Sequence, residues 1–182
     1  MKGMIAGAAG GLVASWVMNQ FQALLSRVTH GVERPHGAQS LQTGSPQHGV
    51  ARDLQKRGRD READTAAVRT AVAVSDRLFG LELADREKRE IVGAVVHYAF
   101  GVATGGLYGV MAEVKPATTT GAGLLFGAAV WLIADEIIVP ALGLSKPPTK
   151  YPLSTHAYSI ASHLVYGLTT EIVRREARRA LD

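Results

Sequence analysis

A chain of 182 residues with 20 Lys and Arg against 16 Asp and Glu carries a formal net charge of +4. Its 47% hydrophobic content and mean hydropathy of +0.08 are those of an ordinary soluble domain. The absence of cysteine excludes disulfides and thiolate metal sites, and no basic stripe interleaved with aromatics marks nucleic acid as a partner. These averages mix a long polar insert with apolar segments at 4–25, 91–112, 121–144 and 154–173. Each segment approaches the ~20 residues that cross a ~30 Å hydrocarbon layer at ~1.5 Å rise per residue.

The first segment carries Gly3, Gly7, Gly11, Ser15 and Asn19 at four-residue spacing. On a helix this spacing puts the stripe on one face, where glycines let two backbones approach closely, as helices do in lipid. Met1 and Lys2 ahead of an apolar run also suit a signal peptide. The run, however, continues through Trp16 and Met18 to Leu25 with no small-x-small cleavage site after it, so residues 1–25 are read as a retained first span.

Residues 26–90 form a polar connector. Through about residue 60 it is rich in Gly, Pro, Gln, Ser and charge. Beyond that, Val68, Val72, Ser75 and Phe79, closed by Gly80, predict an amphipathic helix at about 63–79 lying on the membrane surface or on the ends of the spans. The connector holds twelve of the twenty basic residues but also ten acidic ones. Long loops translocate largely regardless of charge, so this count does not fix its side.

Residues 91–182 supply three further spans and an Arg-rich tail. The second stripe reads Gly93, His97, Gly101, Gly105, Gly109; the third Gly123, Gly127, Trp131, Asp135; the fourth Thr155, Ser159, His163, Gly167, Glu171. Off-stripe positions in 91–112 and 121–144 are Val, Ala, Leu, Ile, Phe and Tyr, leaving no polar face for water and disfavouring a soluble bundle. The connector G-L-S-K-P-P-T-K-Y-P-L-S before the last span is stiffened by Pro147, Pro148 and Pro152, with Ser154 placed to cap the helix. Arg174, Arg175, Arg178 and Arg179 fit a juxtamembrane cytoplasmic tail.

G-M-I-A-G-A-A at 3–9 recurs as G-L-L-F-G-A-A at 123–129, and H-Y-A-F-G at 97–101 as H-L-V-Y-G at 163–167. The expected fold is therefore all-α: a polytopic four-helix membrane bundle of two repeated helical hairpins in parallel orientation, plus the amphipathic extramembrane helix. Gly3, Gly7, Gly11, Gly101, Gly105, Gly123, Gly127 and Gly167 are its expected close-packing positions.

Depth arithmetic at ~1.5 Å per residue sets Asn19, His97 and Asp135 ~9 Å below one face, with His163 about a turn deeper. Glu136 is expected some ~100° around the helix from Asp135, and Glu171 near the opposite face with the arginines. An ionisable group at membrane depth costs about 2.5–3.5 kcal/mol on insertion scales, so it usually marks a pairing or a site. Three readings of the Asp135, His97 and His163 cluster follow: a hydrogen-bonded polar plug, a proton- or metal-binding site, and a bis-His b-type haem site through His97 and His163. No nucleophile with its base, phosphate-cradling loop or dinucleotide fingerprint appears, so the chain is read as non-catalytic.

H-Y-A-F-G-V-A-T-G-G-L-Y-G-V-M-A-E-V at 97–114, P-A-L-G-L-S-K-P-P at 140–148 and S-H-L-V-Y-G-L-T-T-E-I-V-R-R-E at 162–176 resemble the YagU family of small bacterial inner-membrane proteins. The resemblance covers roughly residues 90–180, matching at His97, Tyr108, Glu113, Pro140, His163, Glu171, Arg174 and Arg175. Asp135 departs from the variant in which histidine occupies that place. The resemblance implies four spans in the inner membrane, both termini cytoplasmic, and no established enzymatic activity. The combined functional reading is a membrane protein whose His/Asp cluster handles protons or a metal ion, with a role in acid or envelope stress. Its rival is a structural or assembly subunit whose partners are the bilayer, another membrane protein or a second copy of itself.

Overall fold

A computed structural model describes residues 1–28 and 86–182, and among these every regular element is helical. Helix α1 spans Lys2–Val28 and α2 spans Arg86–Val114. A 3-10 turn at Pro116–Thr119 leads into α3, Leu124–Ala141, and a second at Pro148–Lys150 into α4, Leu153–Ala180. The amphipathic helix expected at 63–79 lies outside the described residues.

Two details depart from the sequence reading. Pro152, not Ser154, occupies the cap of α4, and no side chain caps that end. The fixed φ and missing N–H of proline suit a helix start without a capping hydroxyl. The middle of α3, Trp131–Ile138, winds as a π-helix, with the Val139 N–H reaching back to the Ala134 carbonyl. Pro140 has no N–H to give the carbonyl of Glu136, so a regular α-turn cannot continue there; wider pairing accommodates the interruption.

Helix α1 packs along both α2 and α4, and α3 packs along α4. Tyr108 of α2 stacks on Phe126 of α3 with ring centroids 4.3 Å apart, joining the two outer helices. Glycine sets the closeness of each contact. A Cβ at Gly7 would stand 2.8 Å from Gly109 Cα and strike the Gly105 carbonyl; one at Gly105 would stand 2.7 Å from Gly11 Cα. In the second pair, a Cβ at Gly167 would lie 2.8 Å from Gly127 Cα, and one at Gly127 would strike the His163 carbonyl. Backbone meets backbone, so no rotamer change could relieve an added side chain.

These contacts fix a register that the repeated words do not. Gly3 sits over Gly109 and Glu113, and Gly7 over Gly105 and Gly109; likewise Gly123 sits over Gly167 and Glu171, and Gly127 over His163 and Gly167. Glu113 therefore corresponds in place to Glu171, and Gly105 to His163. The two H-x-x-aromatic-G segments are offset by two turns. A stripe repeating every four residues can slide by multiples of four without losing its face, which is why the words misalign.

The packed molecule is inverted relative to a water-soluble one. Among the described residues, eleven polar or charged side chains are buried against seven hydrophobic ones, of which four are alanine. Outside stand Ile5, Leu12, Trp16, Val95, Leu107, Leu125, Ile133 and Ile172, among others. An apolar exterior around a hydrogen-bonded interior is the arrangement that lipid stabilises and water does not. Ile91–Val114 and Leu124–Ala141 are long and apolar enough to cross a membrane, with mean hydropathies of 1.4 and 1.9.

The glycine contacts make a direct prediction. Gly7→Ala and Gly127→Ala should each lower the thermal midpoint in detergent, by an overpacking cost of about 1–3 kcal/mol. Gly106→Ala, whose Cβ would meet nothing nearer than 3.6 Å, should leave it unchanged. Equal behaviour of the three variants would overturn the backbone-contact assignment.

Candidate functional site

Asp135 lies within the π-wound part of α3 and points at α4. Ser159 Oγ donates to Asp135 Oδ2 at 2.7 Å, while Oδ1 is buried with no hydrogen-bond partner among the described residues. His163 Nδ1 stands 3.8 Å from Oδ2 and 3.0 Å from the Ser159 carbonyl. A carbonyl only accepts, so Nδ1 carries the hydrogen. Both side chains are deeply buried, at 8% and 6% exposure for Asp135 and His163. The carboxylate thus has one oxygen committed as acceptor and the other available to take a proton without breaking the serine bond.

His97, Asp135 and His163 line one cavity together with Ser15, Gly101 and Tyr166. It leaves about 20 Å³ for the centres of water molecules, room for one or two. The bis-His haem alternative would have to seat its macrocycle in this same cavity, which His97 and His163 both line. Among the described residues no group of three or more His, Asp or Glu side chains could hold a metal ion. The metal alternative on His97, Asp135 and His163 therefore lacks a convergent donor set; His163 Nδ1 is already directed at a carbonyl. Asn19 does not line this cavity. Its Nδ2 donates to the Tyr98 hydroxyl at 3.2 Å, tying α1 to α2.

Beside this cavity is a second, which shares Asp135 with it, has Ser159 in its wall and reaches the α3–α4 loop at Ser145, Lys146, Pro148 and Tyr151. Glu136 and His156 line it, with Glu136 Oε1 2.8 Å from His156 Nδ1 and the Pro148 carbonyl 3.1 Å from Nε2. Glu136 does not point away from Asp135. Both carboxylates reach α4, Asp135 at Ser159 and Glu136 at His156. His156 was missed in the sequence because it lies one residue off the stripe Thr155, Ser159, His163. Ser159 was on that stripe, and its spacing from His163 was the available signal.

The other end of the helices is held by charge. Glu171, 1% exposed, accepts from Arg174 Nε at 2.7 Å and Nη2 at 2.9 Å, and from Arg175 Nε at 2.5 Å. The Arg174 guanidinium also lies 5.9 Å from the centre of the buried Tyr108 ring. Glu113, the place-equivalent of Glu171, is bridged by Arg178, which also pairs with Asp182; Asp182 in turn meets Lys2. Arg178 and Lys2 hold the Asp182 carboxyl below the usual range. The basic tail is thus a continuation of α4 folded into ion pairs rather than a loose appendage.

Helices with an apolar exterior, a glycine-paired interior and a buried carboxylate define a small helical membrane protein. The chain belongs to the DUF1440 family, described as a protein of unknown function, whose pattern matches residues 79–172. It is 34% identical over 87 residues to the inner membrane protein YagU of Escherichia coli (strain K12), a match covering 48% of this chain and 43% of that protein. The chain thus spans less than half the length of that relative. No solved structure matches it significantly.

The buried ion cluster carries its own prediction. Glu171→Gln leaves the buried Arg174 uncompensated and should cost about 3 kcal/mol or more in detergent unfolding. Arg179→Gln, at an exposed pair with Glu176, should leave the transition in place. Equal, small effects would mean that the cluster does not hold this end together.

Proposed function

We propose that this chain is a four-span inner-membrane bundle of two related hairpins whose Asp135–Ser159–His163 centre binds and releases a proton. Residues 1–25 would form the first span, 26–90 the extramembrane connector and 91–182 the remaining spans and tail, with both termini cytoplasmic. The inner-membrane placement is supported by the name of the Escherichia coli relative. The hairpin repeat is supported by the equal seating of Gly3 and Gly7 on Gly109 and Glu113, and of Gly123 and Gly127 on Gly167 and Glu171.

The observation that carries the proton reading is the buried Asp135 Oδ1, without a partner among the described residues and beside a water-sized cavity. A buried acceptor left unpaired is costly, so it should be satisfied either by a water or by its own proton. His163 Nδ1 stands 3.8 Å from the other oxygen of the same carboxylate, within ion-pair distance of it. Proton binding here suits a protein acting under acid or envelope stress, with the bilayer as its essential partner.

A passive polar plug is the second reading, favoured by the bonds Ser159 Oγ and His163 Nδ1 already make. Asp135→Asn preserves shape and separates the two. Proton uptake by purified protein on an acid shift, counted with an indicator dye, should fall by about one proton per chain in Asp135→Asn, with thermal stability and survival of folding retained. In cells, acid tolerance should fall with Asp135→Asn and with His163→Gln. Unchanged uptake, or loss of stability and tolerance in step, would replace the proton site with the plug.

A further inference from the structure

Resting on that reading, we propose that Glu136 and His156 form a proton relay that connects Asp135 to water on one side only, the side of the α3–α4 loop. The two cavities meet at Asp135. The outer one, lined by Asp135, Glu136, Lys146, Tyr151, His156 and Ser159, leaves about 30 Å³ for water centres. Asp135 and Ser159 are in its wall, and the cavity holding His97 and His163 shares Asp135 with it. A proton entering from the loop therefore meets Glu136 and His156 before it meets Asp135.

The bonding of His156 suits it to this task. Nε2 faces the Pro148 carbonyl, which can only accept, so Nε2 carries a hydrogen. Nδ1 faces Glu136 Oε1, and the 2.8 Å gap between them holds one shared hydrogen. The pair is either imidazolium with carboxylate or imidazole with carboxylic acid, and in both forms it holds a proton it can pass on. Side-chain exposures of 23% for His156 and 16% for Glu136 place the pair between solvent and the buried Asp135. In transfer, Asp135 takes the pair's proton through water in the outer cavity, and loop-side water replaces it. Lys146 and Tyr151 from the loop and Asp135 from α3 are the other ionisable groups at this cavity.

The opposite end is closed to such a path. Backbone contacts at Gly3, Gly7, Gly123 and Gly127, the Tyr108–Phe126 stack and the Glu171–Arg174 pair fill the helix interfaces there. Tyr108 and Glu171 are each 1% exposed. Among the described residues, the loop-side cavity is where Asp135 meets a hydrogen-bonded carboxylate–imidazole pair, so its proton would equilibrate with that compartment.

Because the chain has no cysteine, a single Thr149→Cys in the exposed loop reports orientation in liposomes through a membrane-impermeant maleimide. An acid jump is then applied outside or inside. Protonation of Asp135 is followed by its carboxyl infrared band, assigned by its loss in Asp135→Asn. A jump on the loop side should protonate Asp135 at least tenfold faster than one on the other side. Glu136→Gln with His156→Gln should slow the loop-side response about tenfold while reaching the same final amplitude. Equal rates from both sides, or an undiminished rate in the double variant, would overturn the relay and leave the proton site standing. No Asp135-dependent band from either side would overturn both. The sidedness arm keeps Glu136 and His156 intact, so it decides the matter even if the double variant fails to fold.

Discussion

Everything else in this molecule depends on the approach of glycine backbones between α1 and α2 and between α3 and α4. In lipid no hydrophobic effect drives one apolar helix onto another, so dispersion contact and interhelical hydrogen bonds must supply the association. Removing the side chains at Gly7, Gly11, Gly101, Gly105, Gly109, Gly127 and Gly167 brings main chain against main chain. At that separation the axial positions of the helices are set to within a turn. The depth of every polar side chain follows from that setting.

With the helices so close, little room remains for large residues inside. Serine, threonine and alanine occupy much of the interior, with Met18, Tyr108 and Tyr166 as its larger buried hydrophobic residues. Hydroxyls satisfy themselves locally: Ser15, Thr104, Ser162 and Thr170 each bond a carbonyl three or four residues back. Tyr166 instead crosses between helices, donating to the Gly101 carbonyl at 2.7 Å. Against this background, Asp135 Oδ1 is, with Asn19 Oδ1 and Trp131 Nε1, among the buried side-chain atoms left without a hydrogen-bond partner among the described residues. The ionic cluster at Glu171 is its opposite: fully paired and enclosed. One end of the helices is thus fastened, and the other keeps a carboxylate beside water-sized space.

The π-wound segment connects backbone irregularity to this chemistry. Pro140 interrupts the α-pattern near the end of α3, and the turns before it widen. In this segment Asp135 meets Ser159 while Glu136 meets His156, one turn apart on the same neighbour. A local distortion in a membrane helix is tolerable where an adjacent helix supplies the missing partners, and α4 does so here.

The four-residue stripes were legible in the sequence because helix geometry is local: residues four apart share a face whatever the tertiary structure. The inward placement of His97, Asp135, His163 and Glu171 follows from that period, whereas the family resemblance rests on the motifs at 97–114, 140–148 and 162–176. The register of the hairpins was not legible, since a stripe of equivalent small residues looks the same after sliding by four or eight. Only backbone contact shows that Gly3 meets Gly109 and Glu113, pairing Glu113 with Glu171 in place of His97 with His163. The partner of Glu136 was likewise hidden, because His156 lies on another helix and one residue off its stripe. The sequence by itself determined which face of each helix is polar, a property of neighbours along one chain. The tertiary structure alone decided which polar groups share a cavity, because that depends on how far each helix slides along the next before its backbone is stopped.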